Sequence, residues 1–392
     1  MKQKRLVTVL QCASALGAMS YGVMFTVLDD FRNEYGITES KLGLIVAAGF
    51  VAGFLSNVFV APIADKGFAR RLVAIGLVTQ IVGCFVMAFG SSFIVLLLGR
   101  FLTGIGGGAA DPALRRIIIL ANPDEMGSNL GRIVAAGVAG FALGPVVSAV
   151  TVGPLGLASP FLIVAGAMAI VLLFLLQVHV NEAARDEAPS QRFAFDLLLV
   201  RPIAGVVVIG LSLYIMIGTF DSIWSVMMDD IKAPDWVASV GITVFALPMI
   251  FLAPLGGRLT QKYGPFRASI TGLTLAAICM TLYGTLSSPY LMLGVGVLHG
   301  IIDGLTITGG SAALAMVAPS NRLASAQGVY NGTLTLSGGL AAGLAGATYD
   351  RIGQSTYIVC AGVMIVLIYS GALLARQYLG IRAEATQPVV AD

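Results

Sequence analysis

Residues 61–68 and 257–264 are one short loop written twice, and Asp65 and Gln261 hold matching places in it, 261 − 65 = 196 positions apart. The first copy reads Ala61-Pro62-Ile63-Ala64-Asp65-Lys66-Gly67-Phe68 and the second Gly257-Arg258-Leu259-Thr260-Gln261-Lys262-Tyr263-Gly264. Gly104 and Gly300 keep the same offset, as do Pro123 and Pro319. Each copy closes a long apolar run. A chain whose two mostly apolar halves repeat at one interval is a duplicated bundle of membrane helices.

Composition agrees. The chain is 57% hydrophobic and 11% charged, whereas a soluble domain carries roughly 25% charged residues. About 20 apolar residues span a bilayer core as a helix. Such runs lie at 7–28, 42–63, 73–91, 94–119, 132–152 and 159–179, then at 202–224, 236–257, 268–288, 290–317, 328–349 and 356–379. The expectation is an all-α membrane protein of twelve spanning helices in two pseudosymmetric six-helix bundles. The short alternating segments of a β-barrel are not found.

Residues 1–180 form the expected first bundle and 201–380 the second. The polar stretch 181–200 links them, and 381–392 make a polar tail. No segment is long enough for a separate soluble catalytic domain, so an enzyme is not expected. Of the 23 Lys and Arg residues, Arg32, Lys41, Lys232 and Arg351 fall on one side of this topology and Arg100 inside a run. All the others fall on the opposite side, which the positive-inside rule makes cytoplasmic. Both termini are therefore expected in the cytoplasm, with a retained first helix rather than a cleaved leader. The net charge of +3 reads as topology, and no nucleic-acid partner is expected. Cys12, Cys84, Cys279 and Cys360 sit inside apolar runs without metal or disulfide spacing, and no phosphate-binding loop of the Gly-x-x-x-x-Gly-Lys type occurs. No cofactor and no metal are expected.

Residues 61–71 and 257–267 resemble the loop signature of the major facilitator superfamily, Gly-x-Leu-Ala-Asp-Arg-x-Gly-Arg-Arg. Asp65, Lys66 and Arg70 fit the first copy; Gly257, Leu259, Lys262 and Gly264 fit the second. Ala61 and Phe68 replace both glycines of the first copy, and Gln261 replaces the acid of the second. The resemblance implies a conformational latch at Asp65, with the acid low on the fourth helix coupled to it. Arg100, Gly104, Gly107, Asp111 and Arg115 step by three or four and share one stripe of that helix. A cluster of Asp65, Arg70, Asp111 and Arg115 is therefore expected. The alternative for Asp65 is a loop acid among basic residues that obey only the positive-inside rule, and for the cluster an internally neutralised structural network.

Gly99-Arg100-Phe101-Leu102-Thr103-Gly104-Ile105-Gly106 resembles the family's Arg-x-x-x-Gly-x-Gly element. A lone cation within an apolar run costs roughly 2.5 kcal/mol or more, so Arg100 is expected to face the bundle interior or a wet cavity. Gly137, Gly140, Gly144 and Pro145 resemble the Gly-Pro element of the drug/proton antiporter branch, with Ser148 and Ala149 in place of its final glycines. Glycines at this spacing allow close helix packing, and Pro145 allows bending.

His299 and Asp303 lie one turn apart within the tenth run, where a carboxyl and an imidazole make a proton-exchanging pair; the alternative is a pair that only packs. Asp221 and Asp30 are further proton-coupling candidates, with Asp29-Asp30 and Asp229-Asp230 near the ends of the first and seventh helices. Tyr21, Tyr214, Trp224, Tyr330 and Asn331 join Arg100 as candidate cavity or substrate residues, although interface-belt placement also suits Trp224. The resemblance implies a monomeric carrier in a bacterial plasma membrane, with a small-molecule substrate, protons and the bilayer as partners. Proton-coupled export of hydrophobic or amphipathic compounds is the leading expectation. A symporter or carrier of sugars, organic anions or lipid-like solutes, and a transport-dead receptor or scaffold, stay open.

Overall fold

A computed structural model describes residues 2–178, 180 and 194–382. The described residues form helices and connecting turns with no strand. In chain order the helices are α1 (Lys2–Thr26), α2 (Leu28–Tyr35), α3 (Glu39–Phe59), α4 (Ala69–Phe89), α5 (Phe93–Ala121), α6 (Met126–Leu155) and α7 (Ser159–Gln177). The series continues with α8 (Arg201–Asp230), α9 (Asp235–Tyr263), α10 (Pro265–Thr285), α11 (Pro289–Thr306), α12 (Gly309–Val317), α13 (Leu323–Ile352) and α14 (Thr356–Leu374). With α11 and α12 taken together and α2 set aside, these are the twelve expected spans. Much of the expected linker and tail, 181–193 and 383–392, lies outside the described residues.

The repeat is geometric as well as textual. Helices α4 and α10 begin and end at positions separated by the same 196 residues as the loop, and so do α5 and the α11–α12 pair. Start signals match too. Gly67 at φ 80° precedes α4, and Gly264 at φ 105° precedes Pro265 of α10. A glycine takes the left-handed backbone without penalty, and proline in the first turn lacks only an N–H that would be orphaned anyway.

Two compact units result. Unit 1 comprises Met1–Pro123, Arg132–Ala194 and Ser320–Gly332; unit 2 comprises Asp124–Gly131, Phe195–Pro319 and Thr333–Asp392. The first residues of α6 thus belong to unit 2, and the first turns of α13 to unit 1. Within unit 1, α5 packs on α3 and α4, and α7 packs on α1 and α4; within unit 2, α11 packs on α9 and α10, and α14 on α8 and α10. These are the same pairings moved by one repeat.

Surface and interior are inverted relative to a soluble protein. Phe89, Ile94, Leu173, Phe251, Leu344 and Leu373 are exposed, while Gln80, Arg100, Arg116, Gln261, His299 and Asp303 are buried. Lipid accepts such a surface, and backbone groups satisfied within helices need no water. Close packing relies on missing side chains. A Cβ on Gly104 would lie 2.3 Å from the Gly49 carbonyl oxygen, and one on Gly106 2.5 Å from that of Gly76. On α6, a Cβ at Gly140 would lie 1.9 Å from the Ala15 carbonyl oxygen, and one at Gly144 2.6 Å from the backbone of Gly22. Gly137 departs from the expected packing role, since its nearest neighbour would be the Ser14 hydroxyl at 3.3 Å. Pro145 lies inside an uninterrupted α6, and nearby Ser148 donates its hydroxyl proton to the Val23 carbonyl at 2.7 Å.

Two expected spans differ. The first is followed at once by the short polar helix α2. The tenth is not one helix: α11 ends at Thr306 and α12 starts at Gly309. Here β-branched Thr306-Ile307-Thr308 precede Gly309-Gly310, and a Cβ on Gly309 would stand 2.2 Å from the Ser269 hydroxyl. The equivalent stretch of α5 continues through Pro112.

The glycine geometry predicts opposite outcomes three residues apart. Gly140→Ala is expected to destabilise by about 1–3 kcal/mol through overpacking, whereas Gly137→Ala stays within about 0.5 kcal/mol of the parent. Thermal unfolding in mild detergent, followed by tryptophan fluorescence, checks this.

Candidate functional site

In unit 1, Asp65 is the penultimate residue of the 3-10 turn Ala61–Lys66 and is wholly buried. Its carboxylate gathers donors on both oxygens. Arg116 Nε donates to Oδ1 at 2.9 Å, and the Ala324 amide to the same oxygen at 2.9 Å. The Ser325 amide and hydroxyl donate to Oδ2 at 2.7 and 2.6 Å. Ala324 and Ser325 open α13, where the first amides have no intrahelical acceptor; Asp65 caps that helix from a loop far away in sequence. A negative charge there also suits the helix dipole.

The second loop does the same for α6 with an uncharged group. Within unit 2, Gln261 Oε1 accepts the Gly127 amide at 2.9 Å, and its Nε2 donates to the Asp124 carbonyl at 3.0 Å. Arg258 Nε donates to the Ser128 hydroxyl at 3.1 Å. A Cβ on Gly257 would lie 1.8 Å from the Gly127 carbonyl oxygen, which is why this position tolerates no side chain. Replacement of the acid by Gln261 therefore removes the charge and keeps the cap.

The expected single cluster of Asp65, Arg70, Asp111 and Arg115 divides in three. Asp65 takes Arg116. Asp111 takes Arg115, whose Nε donates at 2.7 Å, and Asn331, whose Nδ2 donates to the same oxygen at 3.1 Å. Arg70 turns to the end of α7, donating to the carbonyls of Leu175 and Leu176, where a cation meets orphaned acceptors. Lys66 and Lys262 take no part in these carboxylate and carboxamide contacts. Arg116 went unpredicted because it sits one residue off the stripe through Arg115, about 100° further round the helix. Gly108, Pro112 and Arg116 step by four and were the available signal.

Arg100 is 1% exposed. Its guanidinium lies 4.1 Å from the ring centroid of Tyr21, a cation–π contact, and a Cβ on Gly49 would stand 2.5 Å from its Nε. None of its three nitrogens has a hydrogen-bond acceptor among the described residues. The expected interior placement holds, and Tyr21 and Arg100 come together in unit 1.

In unit 2, His299 and Asp303 are both buried on α11, with His299 Nε2 3.8 Å from Asp303 Oδ2. That is too long for a hydrogen bond, and neither oxygen of Asp303 has a donor among the described residues. Nε2 lies instead 3.1 Å from Met216 Sδ, and Nδ1 lies 3.4 Å from the Tyr283 hydroxyl. Phe245 and Phe220 meet the imidazole edge-on at 5.0 and 6.4 Å between centroids. Met216 and Tyr283 are absent from the expected site because an apolar run does not distinguish a hydrogen-bonding partner from a core filler.

The other candidates scatter. Trp224 is neither an interface-belt residue nor a free wall: it is 1% exposed and stacks on Phe220 at 5.0 Å. Tyr214 is half-buried on α8 beside Gly338, and Tyr330 is buried in the early part of α13. In unit 2, Asp221 lies on an exposed face of α8 and does not join the His299–Asp303 pair; in unit 1, Asp30 is half-buried on α2. Asp230 accepts the Tyr349 hydroxyl at 2.7 Å.

A family model described as Major Facilitator Superfamily matches residues 10–220 and again 205–387. Quinolone resistance protein NorA of Staphylococcus aureus (strain MRSA252) is 32% identical over 128 residues, 32% of this chain and 33% of that protein. The chain thus aligns with about a third of the length of the curated relatives it first matches. The uncharacterized transporter YgaY of Escherichia coli (strain K12) is 24% identical over 382 residues, 93% of each chain. Among solved structures, the human organic anion transporter MFSD10 superposes with a TM-score of 0.78 at 16% identity, covering 95% of this chain and 100% of that one. The proton:xylose symporter XylE gives 0.78 at 13% identity, covering 98% of each. At these identities the two structures speak for the fold.

The two arginines at the end of α5 separate the nodes experimentally. Arg116→Ala leaves a buried carboxylate without its cation and is expected to destabilise by about 3–5 kcal/mol. Arg115→Ala, whose Asp111 partner is part-exposed and keeps Asn331, is expected to lose about 1 kcal/mol or less. Thermal midpoints of the two purified variants in one detergent would order them.

Proposed function

We propose that this chain, which belongs to the Major Facilitator Superfamily, exports hydrophobic or amphipathic small molecules in exchange for protons. Membership makes it a multi-pass membrane transporter and not an enzyme. The observation that carries the rest is Asp303. A carboxylate buried with no donor on either oxygen is costly in a low-dielectric site, and taking up a proton removes that cost. Proton binding and release at Asp303 then change the relative stability of states open to opposite sides of the membrane. Each proton moved through the membrane potential contributes about 2.3 kcal/mol per 100 mV.

Export is supported by the partial match to a quinolone resistance protein and by the close seating of α6 on α1 through Gly140 and Gly144. Asp65 acts as the latch: while it caps α13, the first turns of that helix stay with unit 1. The charge-rule topology puts this latch and both termini on the cytoplasmic side, in a bacterial plasma membrane. Arg100 favours a second substrate class. A buried guanidinium without an acceptor suits an anionic or acceptor-rich solute, so organic anions or sugars compete with neutral and cationic compounds. A receptor or scaffold has no use for unpaired charges at Arg100 and Asp303.

Reconstitution tests the proposal. Proteoliposomes with an imposed pH gradient should accumulate ethidium or a quinolone, and Asp303→Asn should abolish that accumulation while leaving counterflow exchange intact. Active accumulation by Asp303→Asn at the parental rate would remove Asp303 from the mechanism. Asp65→Asn should raise the labelling of single-cysteine probes that report the inward-open state, and an unchanged labelling pattern counts against the latch.

A further inference from the structure

His299 Nε2 has two acceptors before it and one proton to give. Met216 Sδ stands at 3.1 Å and Asp303 Oδ2 at 3.8 Å. A thioether has no proton to donate, so an approach this close puts the proton on Nε2 and leaves Nδ1 to accept the Tyr283 O–H at 3.4 Å. Both ring nitrogens are then used by a neutral imidazole. Sulfur is a weak acceptor, however, and an ionised carboxylate forms hydrogen bonds roughly twice as strong as neutral ones. An N–H resting on sulfur with a carboxyl less than an ångström further away marks the state in which that carboxyl carries a proton.

We propose that Met216 is a positioning residue for proton coupling. Its thioether holds the His299 Nε2–H while Asp303 is protonated, and the N–H passes to Asp303 Oδ2 when that proton leaves to water. His299 itself neither gains nor loses a proton in the exchange. Met216 lies on α8, whereas His299 and Asp303 lie on α11, so the exchange breaks a tie between two helices of unit 2. The inference rests on Asp303 being the proton carrier. Other ionisable groups near the pair are Cys279 and Tyr283 on α10, on which the Asp303 charge acts, and Tyr357 on α14, whose ring lies 5.6 Å from that of Tyr283. From α8 and α9 the neighbours are Met216, Phe220 and Phe245, which do not titrate; Asp221 of α8 acts on Tyr357.

The chain has two histidines, so His179→Gln leaves His299 as the one imidazole for nitrogen-15 NMR of the full-length protein in nanodiscs. At low pH the ring should show a protonated Nε2 and a bare Nδ1. Raising the pH should move the Nε2–H signal downfield, and the carbon-13 methyl signal of unmutated Met216 should move with it. Asp303→Asn should freeze both signals at their low-pH positions. Met216→Leu, which conserves volume, should bring the downfield Nε2–H signal to lower pH and reduce gradient-driven accumulation several-fold. A proton on Nδ1, a Met216 methyl that ignores the His299 transition, or a Met216→Leu ring spectrum that follows the parent at every pH would overturn the inference. The two levels of failure are distinct. Accumulation that survives Asp303→Asn removes the carrier assignment and the coupling built on it; accumulation that is lost there, with parental ring signals in Met216→Leu, removes only the role of Met216.

Discussion

Hydrocarbon offers no hydrogen bonds, so every polar group taken into this molecule must find its partner in the chain or stand unpaired at a cost of several kcal/mol. Backbone groups meet that demand by forming helices. The ends of helices do not, because their first amides lack acceptors. The structure answers at the starts of α6 and α13 by lending each an acceptor from a distant loop, Gln261 for the one and Asp65 for the other. Both capped helices are divided between the units, and the loops that supply the caps stand 196 residues apart.

Duplication makes the two caps alike, and one substitution makes them unequal. Asp65 carries a charge, holds Arg116 and receives both amides and the hydroxyl at the start of α13. Gln261 receives one amide and gives one N–H back. A carboxylate can lose its grip when its charge is neutralised or its cation moves; a carboxamide cannot. The backbone of Gly257 also approaches Gly127 closely, a Cβ there falling 1.8 Å from the Gly127 carbonyl oxygen.

Among the described residues, Arg100 and Asp303 are buried charged side chains with no hydrogen-bond partner on any polar side-chain atom, one in each unit. Arg100 lies against the face of Tyr21, and Asp303 has no hydrogen-bond donor among the described residues. Native proteins concentrate such violations where function requires them. Among the described residues Asp303 has no hydrogen-bond donor, and it stands beside an imidazole whose nitrogens face Met216 and Tyr283.

Much of this was legible in the chain. Apolar runs of bilayer length, an offset of 196 and basic residues gathered on alternate connections depend only on hydrophobic transfer and chain length. They therefore survive without tertiary information. Arg100 and Asp303 also declared themselves, because a charge inside an apolar run is conspicuous wherever the helix turns. What was illegible concerns direction. Arg115 and Arg116 are neighbours in sequence and about 100° apart on α5, and only the packing of that helix against the Ala61–Lys66 turn selects Arg116 for Asp65. Met216 and Tyr283 lie in apolar runs that carry no sign of a polar partner, and Trp224 suited a cavity wall or the membrane belt equally; the fold places the first two on His299 and buries the third. The break between α11 and α12 likewise waited on the approach of Gly309 to Ser269. Sequence alone determined that this is a duplicated bundle of membrane helices with a few embedded charges, since that depends on free energies summed over whole segments. Tertiary structure alone decided which partner each charge received, since a hydrogen bond depends on tenths of an ångström between residues that the chain holds far apart.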